Sequence, residues 1–296
     1  ALIDACIYQE TLPMLEGHPA IHDYILYARK NDFTFFRDIR RRRYDMVINL
    51  TEGDRGALAA WISGAKIRVG FDPEGKGFLG KKKSYTHVVK NCKTPRHAVE
   101  RQLDALRRIG IFPAPEDRDL TLHLPSDTPS KVEGDYILIH PVSRWRFKCW
   151  PIPHVVSLIQ ELQRAGHTVV LTASPDSHEM AMANEILKQT SGVINMAGKT
   201  TLKELGALIR DSQCLVCVDT VALHIASATK TPVVVLFGPT SEKNWGPWMH
   251  PRAQIVTQNL SCRPCLMDGC GGSKMSDCLF TLPVKQVKEA IEVLRI

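Results

Sequence analysis

Asp219, Thr220 and His224 have the residue types and spacing of a phosphate-binding helix start. The apolar run 215–218 reads as a short strand, and Asp219 and Thr220 stand at its end. Residues 221–228 suit a short helix, Pro232 opens the apolar strand 233–237, and Gly238-Pro239 stops it. An aspartate at such a strand-to-helix junction is expected to cap the helix, leaving backbone N–H groups that face outward. Together with the helix dipole they make a ready site for an anion. Thr220 and His224 lie four residues apart and share one helical face, so a hydroxyl and an imidazole point at the same place. Taken singly, the aspartate is a plain cap and the histidine a structural one; the phosphate reading rests on the whole string.

Three further loops follow predicted strands and precede predicted helices, the position where open parallel sheets bind ligands. In His140-Pro-Val-Ser-Arg-Trp-Arg-Phe-Lys-Cys-Trp-Pro151, Ser143 and Lys148 are candidates for phosphate oxygens, the lysine as a point charge. The plain alternative is a solvated lysine beside a packed Trp150. The second loop, Ala173-Ser-Pro-Asp-Ser-His178, offers Asp176, which also reads as a helix cap, with Glu179 close behind. The third, Ala197-Gly-Lys-Thr-Thr201, lacks the flanking spacing of a phosphate loop. In it Gly198 permits close backbone approach and Lys199 adds charge.

The elements that must position these loops alternate between strand and helix. Strands are expected at 2–8, 46–50 and 67–70, and helices at 33–43, 56–63 and 97–109, with a short one opening at Pro13. Beyond the linker-like stretches 112–118 and 125–129, strands at 136–139 and 168–172 alternate with helices at 153–165 and 178–189. Thr201-Leu-Lys-Glu204 reads as a capping box. Such alternation implies mostly parallel sheets covered by helices. Two domains are expected, 1–128 and 129–296, divided near residues 125–134.

Composition narrows the function classes. The chain has 296 residues, 44% of them apolar, and a formal net charge of +7. No apolar run approaches the roughly 20 residues that span a bilayer, and no secretory leader is legible, so a cytoplasmic protein is expected. The basic runs 37–43 and 81–83 read as solvated faces, or as surfaces for anionic headgroups or a phosphorylated acceptor. Few aromatics interleave with the charges, so no nucleic-acid partner is expected. Of nine cysteines, Cys6, Cys92, Cys149, Cys214 and Cys217 are expected to be small core residues. Cys262, Cys265, Cys270 and Cys278 have spacings that could chelate a soft metal. Four reduced thiols in a Gly-rich loop are the favoured reading, with no metal and no cofactor.

The string Asp219-Thr220-x-x-x-His224-x-Ala226, followed by Leu236-Phe-Gly-Pro-Thr240, resembles the nucleotide-sugar signature of glycosyltransferase family 9, the ADP-heptose:lipopolysaccharide heptosyltransferases. The Phe-Lys-Cys-Trp version of the loop at Lys148 looks most like the subgroup that adds the third, branching heptose. The resemblance implies the GT-B fold, an α/β arrangement of two Rossmann-like domains facing a cleft. The first would bind the acceptor and the second the nucleotide sugar. It implies transfer of L-glycero-D-manno-heptose from ADP-heptose to a heptose of the lipopolysaccharide inner core, with anomeric inversion, at the cytoplasmic face of the inner membrane.

By the same resemblance Lys148, Asp219, Thr220 and His224 bind the donor's diphosphate and sugar, with Ser143 of the Lys148 loop a donor-binding candidate beside them. Asp176 holds the ribose, and Gly198, Lys199 and Thr200 line the adenine. The family's general base, an Asp in a Gly-Asp loop after its first strand, has no counterpart here, since Gly53-Asp54 follows a later strand. That base is expected upstream of Ala1, so that the first domain lacks its N-terminal strand and helix, and a loop is expected to be shortened between Ala28 and Phe33. The alternatives are a transferase for another nucleotide sugar, and a non-catalytic protein that binds nucleotide or lipopolysaccharide.

Overall fold

A computed structural model describes residues 1–27, 32–125 and 128–296, and the shortened loop expected after Ala28 lies outside them. The chain divides into two compact units, Ala1–Arg118 and Asp119–Ile296. The division falls ten residues before the expected 128/129, because Asp119, Leu122, Leu124 and Thr128 already pack on the second unit. Lys230 pairs with Asp119, the side chains of Leu122 and Leu124 close on Gly206, and Arg210 donates to the Thr128 carbonyl at 3.2 Å. The prolines near 125 mark the end of that strap, not the start of the unit.

The first unit comprises β1 (Asp4–Tyr8), α1 (Leu12–Leu15), β2 (Asp23–Tyr27), α2 (Asp32–Arg41), β3 (Met46–Ile48), α3 (Asp54–Ser63), β4 (Ile67–Phe71), β5 (His87–Val89) and α4 (Ala98–Arg107). Its strands form two parallel sheets among the described residues, β1-β2 and β3-β4-β5. Tyr27, Phe35 and Ile39 pack α2 on β2, and Ala105 seats α4 against Val69, Phe71 and Val89. β2 and β5 escape sequence reading because they are short and flanked by polar residues. Two cysteines depart from the expectation of burial: Cys6 lies on the uncovered face of the two-stranded sheet and Cys92 in the loop after β5, so both are exposed.

The second unit comprises β6 (Ile137–His140), α5 (Ile152–Arg164), β7 (Val169–Leu171), α6 (Ser177–Lys188), β8 (Ile194–Asn195), α7 (Leu202–Asp211), β9 (Cys214–Val218), α8 (Val221–Thr229), β10 (Val233–Phe237), α9 (Glu242–Trp245), β11 (Ala253–Thr257), α10 (Asp277–Phe280) and α11 (Val284–Val293). Its strands form one six-stranded parallel sheet in the order β11-β10-β9-β6-β7-β8. β6, β9 and β10 are buried along their whole length, as parallel strands covered on both faces must be. α5 turns Val155, Val156, Leu158, Ile159 and Leu162 inward, each such side chain contributing roughly 1.5–3 kcal/mol. The capping box at Thr201 and Glu204 forms as its sequence predicts. The chain order runs outward from β6 through β7 to β8, then returns to β9. The topological switch therefore lies between β6 and β9, where neighbouring loops diverge and leave a crevice.

Candidate functional site

The two loops leaving this switch carry Lys148 and Asp219, and their side chains meet. Lys148 Nζ donates to Asp219 Oδ2 at 2.7 Å, with the lysine side chain 18% exposed and the aspartate 6%. Asp219 is thus an ion-pair partner at the strand end, not the helix cap. The cap of α8 is Thr220, whose extended backbone lets its hydroxyl accept from the Ala222 N–H at 3.3 Å. The cap spacing favours the residue next to the first helical turn, so Asp219 keeps its carboxylate for Lys148. His224 lies one turn into α8, its ring 6.4 Å from Trp245 in an edge-on arrangement.

The loop that holds Lys148 is built rigidly. Its Ser143 N–H donates to the Cys149 sulfur at 3.2 Å, and the Ser143 hydroxyl accepts from the Trp145 N–H at 3.3 Å. A short 3-10 turn over Arg146–Lys148 follows. Trp150 is fully buried and its indole N–H donates to the Leu282 carbonyl at 3.2 Å, while Ser276 bonds the Phe147 carbonyl at 2.8 Å. Lys148 is therefore held between two anchors. Burial pushes the Cys149 thiol up to about 11, so it stays protonated. Ser143 is buried and its lone pair serves the loop, leaving its O–H as the group available to a ligand.

On the other side of β6 the 173–179 and 197–201 loops join through the Gly198 N–H and the Ala173 carbonyl at 3.0 Å. Gly198 has φ +67°, a conformation that favours glycine, and a Cβ there would come within 2.8 Å of the Met180 sulfur, so that flexible side chain would have to shift. Asp176 is committed as the cap of α6, accepting from His178 and Glu179 N–H groups at 2.9 and 3.4 Å. The buried acid of this loop is Glu179, which accepts from the Ser174 N–H at 3.0 Å. Lys199 Nζ donates to the Asn195 carbonyl at 2.9 Å and points along its own loop; none of the described contacts brings it or Thr200 to Lys148. His140 ties the two halves together, bonding Thr172 at 3.1 Å. Complete burial pushes the His140 imidazole down to about 4, against the opposing pull of the Glu179 carboxylate.

The turn after β10 adds a residue that the site reading left unassigned. Thr240 has a buried hydroxyl without a hydrogen-bond partner among the described residues. Its turn is held by Arg263, which donates to the Gly238 carbonyl at 2.7 Å and to Glu242 at 3.2 Å. Thr240 was visible in sequence as the end of the Leu-Phe-Gly-Pro-Thr string, but only the fold shows that its hydroxyl is left unbonded. Among the described residues no group of three or more His, Cys, Asp or Glu side chains is gathered as a metal would need; Cys278 is buried while Cys262, Cys265 and Cys270 are exposed.

A half-buried lysine paired with a buried aspartate and a capped helix N-terminus stand at the switch point of a parallel sheet, with an unbonded hydroxyl at the turn after the next strand; these are groups of the kind that can bind an anion. The model of glycosyltransferase family 9 (heptosyltransferase) matches residues 33–275. Lipopolysaccharide heptosyltransferase 3 of Escherichia coli strain K12 is 33% identical, over 99% of this chain and 89% of that protein. The structure of the Escherichia coli ADP-heptose lipopolysaccharide heptosyltransferase II superposes with a TM-score of 0.78 at 22% identity, covering 99% of this chain and 89% of that one. The Escherichia coli heptosyltransferase WaaC with ADP superposes at 0.70 and 19%, covering 99% and 87%. The fold is therefore the GT-B type, with two Rossmann-like units, and the chain belongs to glycosyltransferase family 9, the heptosyltransferases.

Proposed function

We propose that this enzyme transfers L-glycero-D-manno-heptose from ADP-heptose to a heptose hydroxyl of the lipopolysaccharide inner core. The observation that carries the reading is the Lys148–Asp219 pair at the mouth of the β6/β9 switch. In an unliganded site the ammonium rests on Asp219; a donor diphosphate offers it a doubly charged partner. Lys148, the Ser143 hydroxyl and the N-terminus of α8 then stabilise the charge that builds on ADP as the glycosidic bond breaks. Thr220, His224 and Thr240 border the sugar, and Asp219, relieved of the lysine, is free to accept from a sugar hydroxyl. The acceptor hydroxyl attacks from the opposite face in one displacement: the new glycosidic bond forms as the bond to ADP breaks, the hydroxyl proton passes to a base on the acceptor side, and the anomeric centre inverts.

The acid proposed for the ribose is Glu179, the buried acid of this loop, beside Asp176, whose Oδ1 caps α6. The adenine lies against residues 197–200, where Gly198 allows close approach. Residues 119–296 form the donor unit and residues 1–118 the acceptor unit. Heptosyltransferase WaaC with ADP, a relative in fold, supports the choice of base. The enzyme works at the cytoplasmic face of the inner membrane, where the acceptor is assembled; no helix among the described residues is long and apolar enough to cross a membrane. The test is ADP release with ADP-heptose and a diheptosyl core acceptor. Turnover with UDP- or GDP-sugars but not with ADP-heptose would overturn the donor assignment.

A further inference from the structure

At the foot of the first unit, away from the carboxyl ends of its strands, lies an open concavity of about 570 Å³. It is formed where α2 ends before β3 and where α3 ends before β4. Arg40, Arg41, Arg43 and Lys66 line it, against a single carboxylate, Asp45. The basic run 37–43 is thereby sorted into structural and available charges. Arg37 pairs with its neighbour Asp38 at 3.3 Å. Arg42 is held by Asp4 at 2.8 Å and Asp23 at 2.7 Å, which pins the end of α2 to the starts of β1 and β2. Arg40 donates to the Ser63 carbonyl at 3.2 Å, closing the last turn of α3. Arg41, Arg43 and Lys66 make no hydrogen bond or ion pair among the described residues, and all three are exposed. Arg43 is also held at φ +51°, in the tight turn between α2 and β3.

In the last turn of α3, two residues before Ser63 of the lining, Trp61 stands 61% exposed. Exposed cations alone describe any solvated surface. Cations around a concavity, with a large exposed amphipathic ring in the last turn of the helix that ends there, match an interface between water and anionic lipid, where indole sits at headgroup level and guanidinium forks take phosphate oxygens in pairs. We propose that this concavity is a docking surface for the anionic phospholipid headgroups of a bilayer. Arg41, Arg43 and Lys66 supply the charge, and Trp61 anchors at the interface. The proposal deepens the assignment of a membrane-borne acceptor and rests on it for its purpose. Its test needs neither donor nor turnover, so the two can fail separately.

The experiment is co-sedimentation of the whole chain with vesicles of phosphatidylethanolamine and phosphatidylglycerol, against vesicles of phosphatidylcholine alone. Each cation near an anionic surface favours partitioning roughly five-fold, so Arg41→Gln/Arg43→Gln/Lys66→Gln should bind the anionic vesicles about 100-fold more weakly. Trp61→Ala should weaken binding further at constant charge. A control triple, Lys76→Gln/Lys90→Gln/Lys93→Gln, removes the same charge from loops that follow the carboxyl ends of β4 and β5, at the other end of the unit, and should retain binding. Circular dichroism confirms that each variant is folded. Equal binding by wild type and the foot triple overturns the proposal, as does equal loss in the control triple, which would make the effect one of net charge. Binding as strong to neutral vesicles overturns it too. Loss of inorganic pyrophosphate binding with vesicle binding unchanged would assign the concavity to a soluble phosphate.

Discussion

Replacing Lys148 by alanine separates the two interactions this residue serves. In the free enzyme its ammonium is 2.7 Å from a carboxylate that is 6% exposed. Removing one partner of a fully buried pair costs about 3–5 kcal/mol, because the other charge is stranded. Lys148 itself is 18% exposed, so water reaches the pair and the loss in folding stability should be nearer to ~1–3 kcal/mol. In the donor complex the same substitution removes a charge-assisted contact to phosphate, worth about 1.5–3 kcal/mol, or roughly 10- to 150-fold in ADP affinity. Isothermal titration with ADP reads the second quantity and thermal unfolding without ligand reads the first. Asp219→Asn gives the opposing sign. It leaves the lysine charge unneutralised, so ADP should bind more tightly while heptosyl transfer slows. If Lys148→Ala binds ADP as the wild type does, the diphosphate is not at the β6/β9 switch. If Asp219→Asn and Lys148→Ala weaken ADP equally, the pair is a structural strut and the exchange of partners is wrong.

Gly198→Ala should cost about 1–3 kcal/mol and weaken ADP, since the residue sits at φ +67° with the Met180 sulfur in the way; the comparison is of melting and ADP titration against wild type. Lys199→Ala, by contrast, should change ADP affinity by less than about three-fold, because its ammonium is spent on the Asn195 carbonyl. Glu179→Gln should weaken ADP more than Asp176→Asn, whereas Asp176→Asn should leave the α6 cap nearly intact, asparagine being as good a cap; the reverse order in titration would return the ribose to Asp176. His140 sets an acid limit: its folded pKa of about 4 lies below the unfolded value near 6.5, so protons bind the unfolded chain first. Its contribution should be present above pH ~6.5 and be lost as pH falls toward ~4. The unfolding free energies of wild type and His140→Gln, from denaturant titrations at a series of pH values, should run parallel above that window and diverge within it.

Much of this was legible in the chain because the second unit is built from strands that are apolar throughout and helices with a clear stripe. The strand 233–237 emerges with the bounds expected, and the capping box at Thr201 is written in four consecutive residues. Local spacing also marked the Lys148 loop and the Asp219–His224 string, since a strand followed at once by a polar pair and a helix leaves few other uses for them. What spacing could not supply is pairing over distance. Lys148 and Asp219 are 71 residues apart, and only the β6–β9 adjacency makes the aspartate an ion-pair partner instead of a cap. The same holds for Asp176 and Glu179, both acids near one helix start, which only burial and the direction of backbone N–H groups tell apart. The basic run of residues 37–43 reads in sequence as one feature. The fold divides it by geometry: Arg40 in the last turn of α2 reaches the Ser63 carbonyl, Arg42 just beyond the helix is held by Asp4 and Asp23, and Arg41 and Arg43 face solvent. The sequence determined which elements form and where the chemistry-bearing types fall along them; the order of strands in the sheet decided which of those residues meet.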